Sequence, residues 1–219
     1  MRTNESLQKD VQDAIKWEPL LNSAEIGVTV KDGVVTLLGT VDSYTKKLEA
    51  EHAAKMVTGV KAVVEKIEIK YGDIGKKTDE NIAKEIINAY KWNWSVPDDN
   101  IKVKVEKGLV TIEGNVAWNY QKEAASKAIR NLLGVIGIIN NIVINSESND
   151  KIEKSAIENA LARNWSIDDE YIDVEVSTNE VTLSGTVRSY YEKEEAERIA
   201  WNAPGVQSVN NELSLYNEL

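Results

Sequence analysis

Two carboxylate pairs, Asp98-Asp99 and Asp168-Asp169, are the residues whose spacing comes nearest to chemistry in this sequence. Adjacent carboxylates can hold a hard cation or share acid–base work. The corresponding place nearer the N-terminus reads Ser23-Ala24, and no third oxygen ligand is evident. Turn formation, which Asp favours, accounts for both pairs. The single histidine, His52, stands beside Glu51 and can form neither a metal cluster nor a relay by itself. It reads as a solvated surface residue. The chain contains no cysteine, which excludes disulfides, thiolate nucleophiles and thiolate metal sites. Spaced glycines such as Gly108 and Gly114 could be read as a phosphate-cradling loop. Their segment spans a strand instead of opening a helix, so it is neither a P-loop nor a dinucleotide fingerprint. No cluster of acid, base and nucleophile converges. No catalytic residue, cofactor or metal is expected, and an enzyme is not the reading.

The aromatic residues are harder to dismiss. Trp94 and Trp165 both stand in Asn-Trp-Ser, Trp92 lies just ahead of the first of these, and Trp118-Asn119-Tyr120 aligns with Ser189-Tyr190-Tyr191. Trp and Tyr favour partner interfaces and the boundary between membrane and water. Trp92, Trp94, Trp118, Tyr120 and Trp165 are therefore the candidate contact surface. Packing at a core edge or between modules is the competing role.

Elements that position these residues come from an internal repeat. Gly33-Val34-Val35-Thr36-Leu37-Leu38-Gly39-Thr40-Val41 recurs as Gly108-Leu109-Val110-Thr111-Ile112-Glu113-Gly114-Asn115-Val116. It returns as Asn179-Glu180-Val181-Thr182-Leu183-Ser184-Gly185-Thr186-Val187. Gly39, Gly114 and Gly185 are 75 and 71 residues apart, and Gly59, Gly134 and Gly205 each follow 20 residues later. Ahead of each motif, Leu7, Val11, Ala14 and Ile15, with their counterparts Ile82, Ile86, Ala89 and Tyr90, mark one face of a helix. Ile157, Ala160 and Leu161 continue the pattern, and Asn4, Asp79 and Asp150 align where a helix cap is expected. Alternating Ile26-Val28-Val30, Ile101-Val103-Val105 and Ile172-Val174-Val176 read as half-buried strands. A tight turn ending in Gly33, Gly108 or Asn179 suits positive φ and predicts a hairpin. An alanine-rich second helix, with Ala50, Ala53 and Ala54 in the first copy, leads to Gly59, Gly134 or Gly205 as a left-handed cap. A closing strand follows.

The fold expected is α+β: three tandem α-β-β-α-β modules, each with two helices on a three-stranded mixed sheet. The modules cover residues 1–70, 76–145 and 148–217, with short polar junctions near residues 71–75 and 145–149. Residues 1–70 hold 10 basic side chains against 11 acidic, residues 71–145 hold 10 against 9, and residues 146–219 hold 6 against 16. The net charge of −10 thus belongs to the third module, and it argues against nucleic-acid binding. No apolar run approaches the ~20 residues of a membrane span, and the first ten residues lack the apolar core of a signal peptide. Read with Met1 as the natural start, the chain is expected in the cytoplasm; a trimmed mature form would be periplasmic.

The repeat, G-x-V-T-L-x-G-x-V followed by an alanine-rich helix and G-V with a closing strand, resembles the BON domain, the bacterial OsmY and nodulation module. The resemblance covers essentially the whole chain three times. It implies a protein of osmotic or envelope stress that binds a phospholipid surface or a protein partner and has no catalytic residues. Without a signal peptide the chain looks like the cytoplasmic multi-BON type. The alternative is a scaffold that binds a small ligand or ion between modules.

Overall fold

A computed structural model describes residues 3–72, 77–145 and 152–216. Asp73 to Gly75, at the first junction, and Ser146 to Asp150, at the second, lie outside the described residues. The first module runs α1 (Asn4–Trp17), β1 (Ile26–Lys31), β2 (Val34–Val41), α2 (Tyr44–Lys55) and β3 (Ala62–Ile69). The second runs α3 (Asp79–Lys91), β4 (Ile101–Glu106), β5 (Leu109–Val116), α4 (Asn119–Ile129) and β6 (Gly137–Ile144). The third runs α5 (Lys154–Ala162), β7 (Ile172–Ser177), β8 (Glu180–Val187), α6 (Tyr190–Trp201), β9 (Ser208–Asn211) and β10 (Ser214–Leu215). A short 3-10 turn precedes the first strand of each module: Ser23–Glu25, Asp98–Asn100 and Asp169–Tyr171. The chain is α+β, with six helices and three mixed sheets among the described residues.

Each hairpin is antiparallel and shares one register: Ile26 faces Gly39, Ile101 faces Gly114, and Ile172 faces Gly185. In the second and third modules the closing strand runs parallel to the central one, Val110 opposite Ile138 and Val181 opposite Val209. The central strand is therefore buried on alternate residues: Val35, Leu37 and Val41; Val110, Ile112 and Val116; Val181, Leu183 and Val187. Onto these pack Leu7, Val11 and Ile15 of α1 with Ala50, Ala53 and Ala54 of α2, and the matching residues of the other modules. Alanines let the second helix lie close to its sheet, and burial of each aliphatic side chain contributes about 1.5–3 kcal/mol.

Three local details differ from the sequence expectation. Thr3 and Thr78, not Asn4 and Asp79, cap the first helices, their hydroxyls accepting from the amides of Ser6 and Asn81. Asn4 and Asp79 are instead the first helical residues, and their side chains reach the hairpin turn. Asp79 carboxylate oxygens accept from the amides of Lys107 (2.7 Å) and Gly108 (2.9 Å), and Asn4 Oδ1 accepts from that of Asp32 (2.9 Å). The turn in the third module also departs from the other two. Asp32 with Gly33, and Lys107 with Gly108, both take positive φ, whereas only Thr178 does so in the third, not Asn179. Asn179 serves otherwise, its Nδ2 donating to Gly205 O at 2.7 Å. Finally, α2, α4 and α6 stop at Lys55, Ile129 and Trp201, so one further turn separates each from its glycine. Gly59, Gly134 and Gly205 take φ of 95°, 100° and 86° there.

At Gly39, Gly114 and Gly185 the constraint is backbone against backbone. A Cβ on Gly114 would stand 2.0 Å from Asn100 O, and its φ is 151°; Gly39 and Gly185 meet Glu25 O and Tyr171 O in the same way. The loop before the first strand, rather than the helix above the sheet, excludes a side chain. The closing strand carries a polar residue on its inward face: Glu65, Asn140 or Asn211. Asn140 Nδ2 donates to Lys122 O and Ser126 Oγ, and Asn211 Nδ2 donates to Lys193 O and Glu197 Oε2, tying strand to second helix.

The described residues form two compact units. One holds Met1–Gly39, Leu48–Glu68 and Ser148–Leu219; the other holds Thr40–Lys47 and Ile69–Glu147.

Candidate contact surface

The same tight turn follows the first helix in every module. Leu21 N donates to Glu18 O, Val96 N to Asn93 O, and Ile167 N to Asn164 O, at 3.0, 2.9 and 3.1 Å. In the second and third modules an Asn side chain shapes the turn, accepting from Ser95 N (3.1 Å) or Ser166 N (3.0 Å). Its last residue, Val96 or Ile167, is buried. With the end of the turn anchored in the core, its second residue is held outward, and that residue is Trp94 or Trp165. One residue past Lys16 and Lys91, at the end of α1 and α3, stand Trp17 and Trp92. Trp17, Trp92, Trp94 and Trp165 are 84%, 90%, 90% and 94% exposed. An indole normally contributes a large buried area, so these four leave an unusual amount of apolar surface in solvent.

Trp118 and Tyr120 belong to another element. Both stand at the start of α4, and their exposures are 37% and 46%. Trp118 occupies the cap position held in the third module by Ser189, whose hydroxyl accepts from Glu192 N. Gln121 Oε1 accepts from Ala117 N (3.0 Å) and Trp118 N (3.1 Å), as Glu192 Oε2 accepts from Arg188 N (2.8 Å) in the third module. Trp118 is thus largely a helix-start residue. Trp17, outside the Asn-Trp-Ser motif like Trp92, joins the exposed group. Its position directly after a helix-ending lysine, as at Trp92, was the available signal.

Part of the charge asymmetry falls on the sheet face that carries no helix. Val34, Leu38 and Val64 are exposed in the first module, and Leu109, Ile139 and Val143 in the second. Glu180 occupies the register position of Val34 and Leu109, and Ser208 and Asn210 continue that face in the third module. On the outer strand Lys102 and Lys104 are replaced by Asp173 and Glu175.

Among the described residues no group of three or more His, Asp or Glu has metal-binding geometry. Asp98 and Asp99 open their 3-10 turn, and Asp168 pairs with Arg188. The glycines serve turns and close backbone approach. A groove of about 220 Å³ lies within the first module between Gln12, Asp13, Lys16 and Ser23, floored by Ile15, Ile26 and Val28.

A comparison with protein families divides the chain in the same way. A family model described as BON domain matches residues 3–71, 78–146 and 149–216. Osmotically-inducible protein Y of Escherichia coli (strain K12) is 26% identical over 158 residues, covering 68% of this chain and 79% of its own. A structure of CdsD, a structural protein of the type III secretion system of Chlamydia trachomatis, aligns at 17% identity with a TM-score of 0.27. It covers 95% of this chain and 91% of its own. The CdsD C-terminal domain aligns at 16% identity and a TM-score of 0.26, over 99% and 100%. Superpositions that loose carry no argument.

Proposed function

The chain belongs to the BON domain family in three consecutive copies, and from that premise we propose that it is a non-catalytic protein that binds phospholipid surfaces through its exposed tryptophan turns. The observation that carries the reading is Trp17, Trp92, Trp94 and Trp165, each almost wholly in solvent at the same corner of its module. Indoles partition to the headgroup layer, where the ring is half apolar and the N–H stays hydrated. Lys16, Lys91 and Arg163, at or just past the ends of α1, α3 and α5, add cationic groups that reach anionic headgroups. Among the described residues no helix is long and apolar enough to cross a membrane, and the contact proposed is peripheral. The likeness to an osmotically inducible protein supports expression under osmotic stress.

Vesicle co-sedimentation of the whole chain tests this, with indole fluorescence as a second readout. Vesicles carrying anionic phospholipid should shift the emission to the blue, and Trp92→Ala with Trp94→Ala should weaken binding about tenfold or more with circular dichroism unchanged. If the parent chain binds vesicles of no composition, the lipid reading fails. A protein partner then becomes the better account of the same aromatics.

A further inference from the structure

The second helices carry, besides the alanine stripe facing their own sheets, a charged outer face that is used between modules. Lys55, near the end of α2, places Nζ 2.5 Å from Glu194 Oε1 of α6 and 2.9 Å from Glu51 Oε1. One turn earlier, the His52 ring meets the edge of Tyr191 with centroids 5.5 Å apart and planes at 77°. All of these residues belong to one compact unit, the one made from parts of the first and third modules. The mode of contact is used twice. Thr45, at the α2 position matching Tyr191, donates from Oγ1 to Arg130 O just past the end of α4, within the other unit. In both cases the first turn of one second helix meets the last turn, or the residue just beyond it, of another.

We propose that α2 and α6 form a salt-sensitive clasp, in which Lys55 and Glu194 hold the acidic third module against the first. The Lys55 side chain is mostly covered, while that of Glu194 is half exposed. A single bridge with one end in water is open to screening by dissolved ions. The two carboxylates beside Lys55 raise its pKa in spite of the desolvation that acts to lower it, so the lysine stays charged throughout the neutral range. Salt concentration, not proton concentration, is then the variable that loosens the joint. The inference stands apart from the lipid reading, because it concerns the joint alone.

The chain has no cysteine, which permits a pair of dyes at Gln12→Cys on α1 and Asn159→Cys on α5, both exposed positions. Single-molecule energy transfer should show one narrow distance at 20 mM NaCl that broadens at 500 mM. Lys55→Met and Glu194→Gln should each raise the open population by up to about fivefold at low salt and remove the salt dependence. Exchanging the charges, Lys55→Glu with Glu194→Lys, should restore the narrow distance. Circular dichroism confirms that each variant is folded, and Glu194→Gln, on a half-exposed side chain, keeps the test intact if Lys55→Met is not. Distances unaltered in both single variants, or insensitive to salt in the parent chain, would overturn the clasp.

Discussion

At the scale of single residues, Tyr90 shows how the repeat absorbs a substitution. The helix position that buries Ile15 in the first module and Leu161 in the third holds a tyrosine in the second, 2% exposed. Its hydroxyl is buried and has no hydrogen-bond partner. A buried polar atom without a partner costs about 1–3 kcal/mol, so Tyr90→Phe should stabilise the protein by about 1 kcal/mol, read as a higher denaturation midpoint. Burial also pushes the phenol's pKa well above its ordinary 10.0. The sign follows from linkage: above pH 10 the unfolded chain has released this proton and the folded chain has kept it. Stability is therefore lost as pH rises beyond 10, and part of that loss should be missing in Tyr90→Phe. Equal alkaline slopes for the two proteins would refute the role given to the hydroxyl.

At the scale of elements, the hairpin turn and the first helix are one structure. The Asp79 carboxylate accepts two amide bonds from the β4–β5 turn while Thr78, one residue earlier, caps α3. Charge-assisted bonds of this kind are about twice as strong as neutral ones. Asp79→Ala should cost about 2 kcal/mol and Thr78→Ala about 1 kcal/mol in chemical denaturation. An equal or smaller loss at Asp79 would mean that water replaces the carboxylate at the turn. Sequence alone placed Asp79 at the head of α3, but as its cap. Periodicity locates a helix to within a residue or two, and the choice between two adjacent oxygen-bearing side chains depends on where the hairpin lies.

At the scale of the whole molecule, the net charge of −10 resists an anionic bilayer, and its concentration in the third module determines how that resistance can be lifted. The outer strand of that module's open sheet carries Asp173 and Glu175 where the second module carries Lys102 and Lys104. Asp173→Asn with Glu175→Gln should strengthen binding to anionic vesicles severalfold at 20 mM salt. The gain should fade at 500 mM, because the Debye length drops below the width of a module. Zwitterionic vesicles serve as the control, and an equal gain on them would remove electrostatic repulsion as the cause. The whole chain is the proper subject of this test, since parts of its first and third modules share a compact unit.

Module number, element order and the hairpins were legible in the sequence, because a three-fold repeat displays the same apolar periods three times. Alternation every two residues and recurrence every three to four are local properties that burial against one sheet imposes. The family resemblance was legible for the same reason. Exposure was not. Trp118 and Trp94 read alike as aromatic residues near a helix end, yet one is 37% exposed at the start of α4 and the other 90%. What separates them is the turn that Val96 anchors in the core, a tertiary contact. At Gly114 the atom that excludes a side chain is Asn100 O, a neighbour that the repeat motif does not identify. Lys55 and Glu194 are 139 residues apart, and no local pattern announces their meeting. Composition and periodicity determine which face of each element is buried; which surfaces then meet, and which stay open to a partner, is decided only when the elements pack.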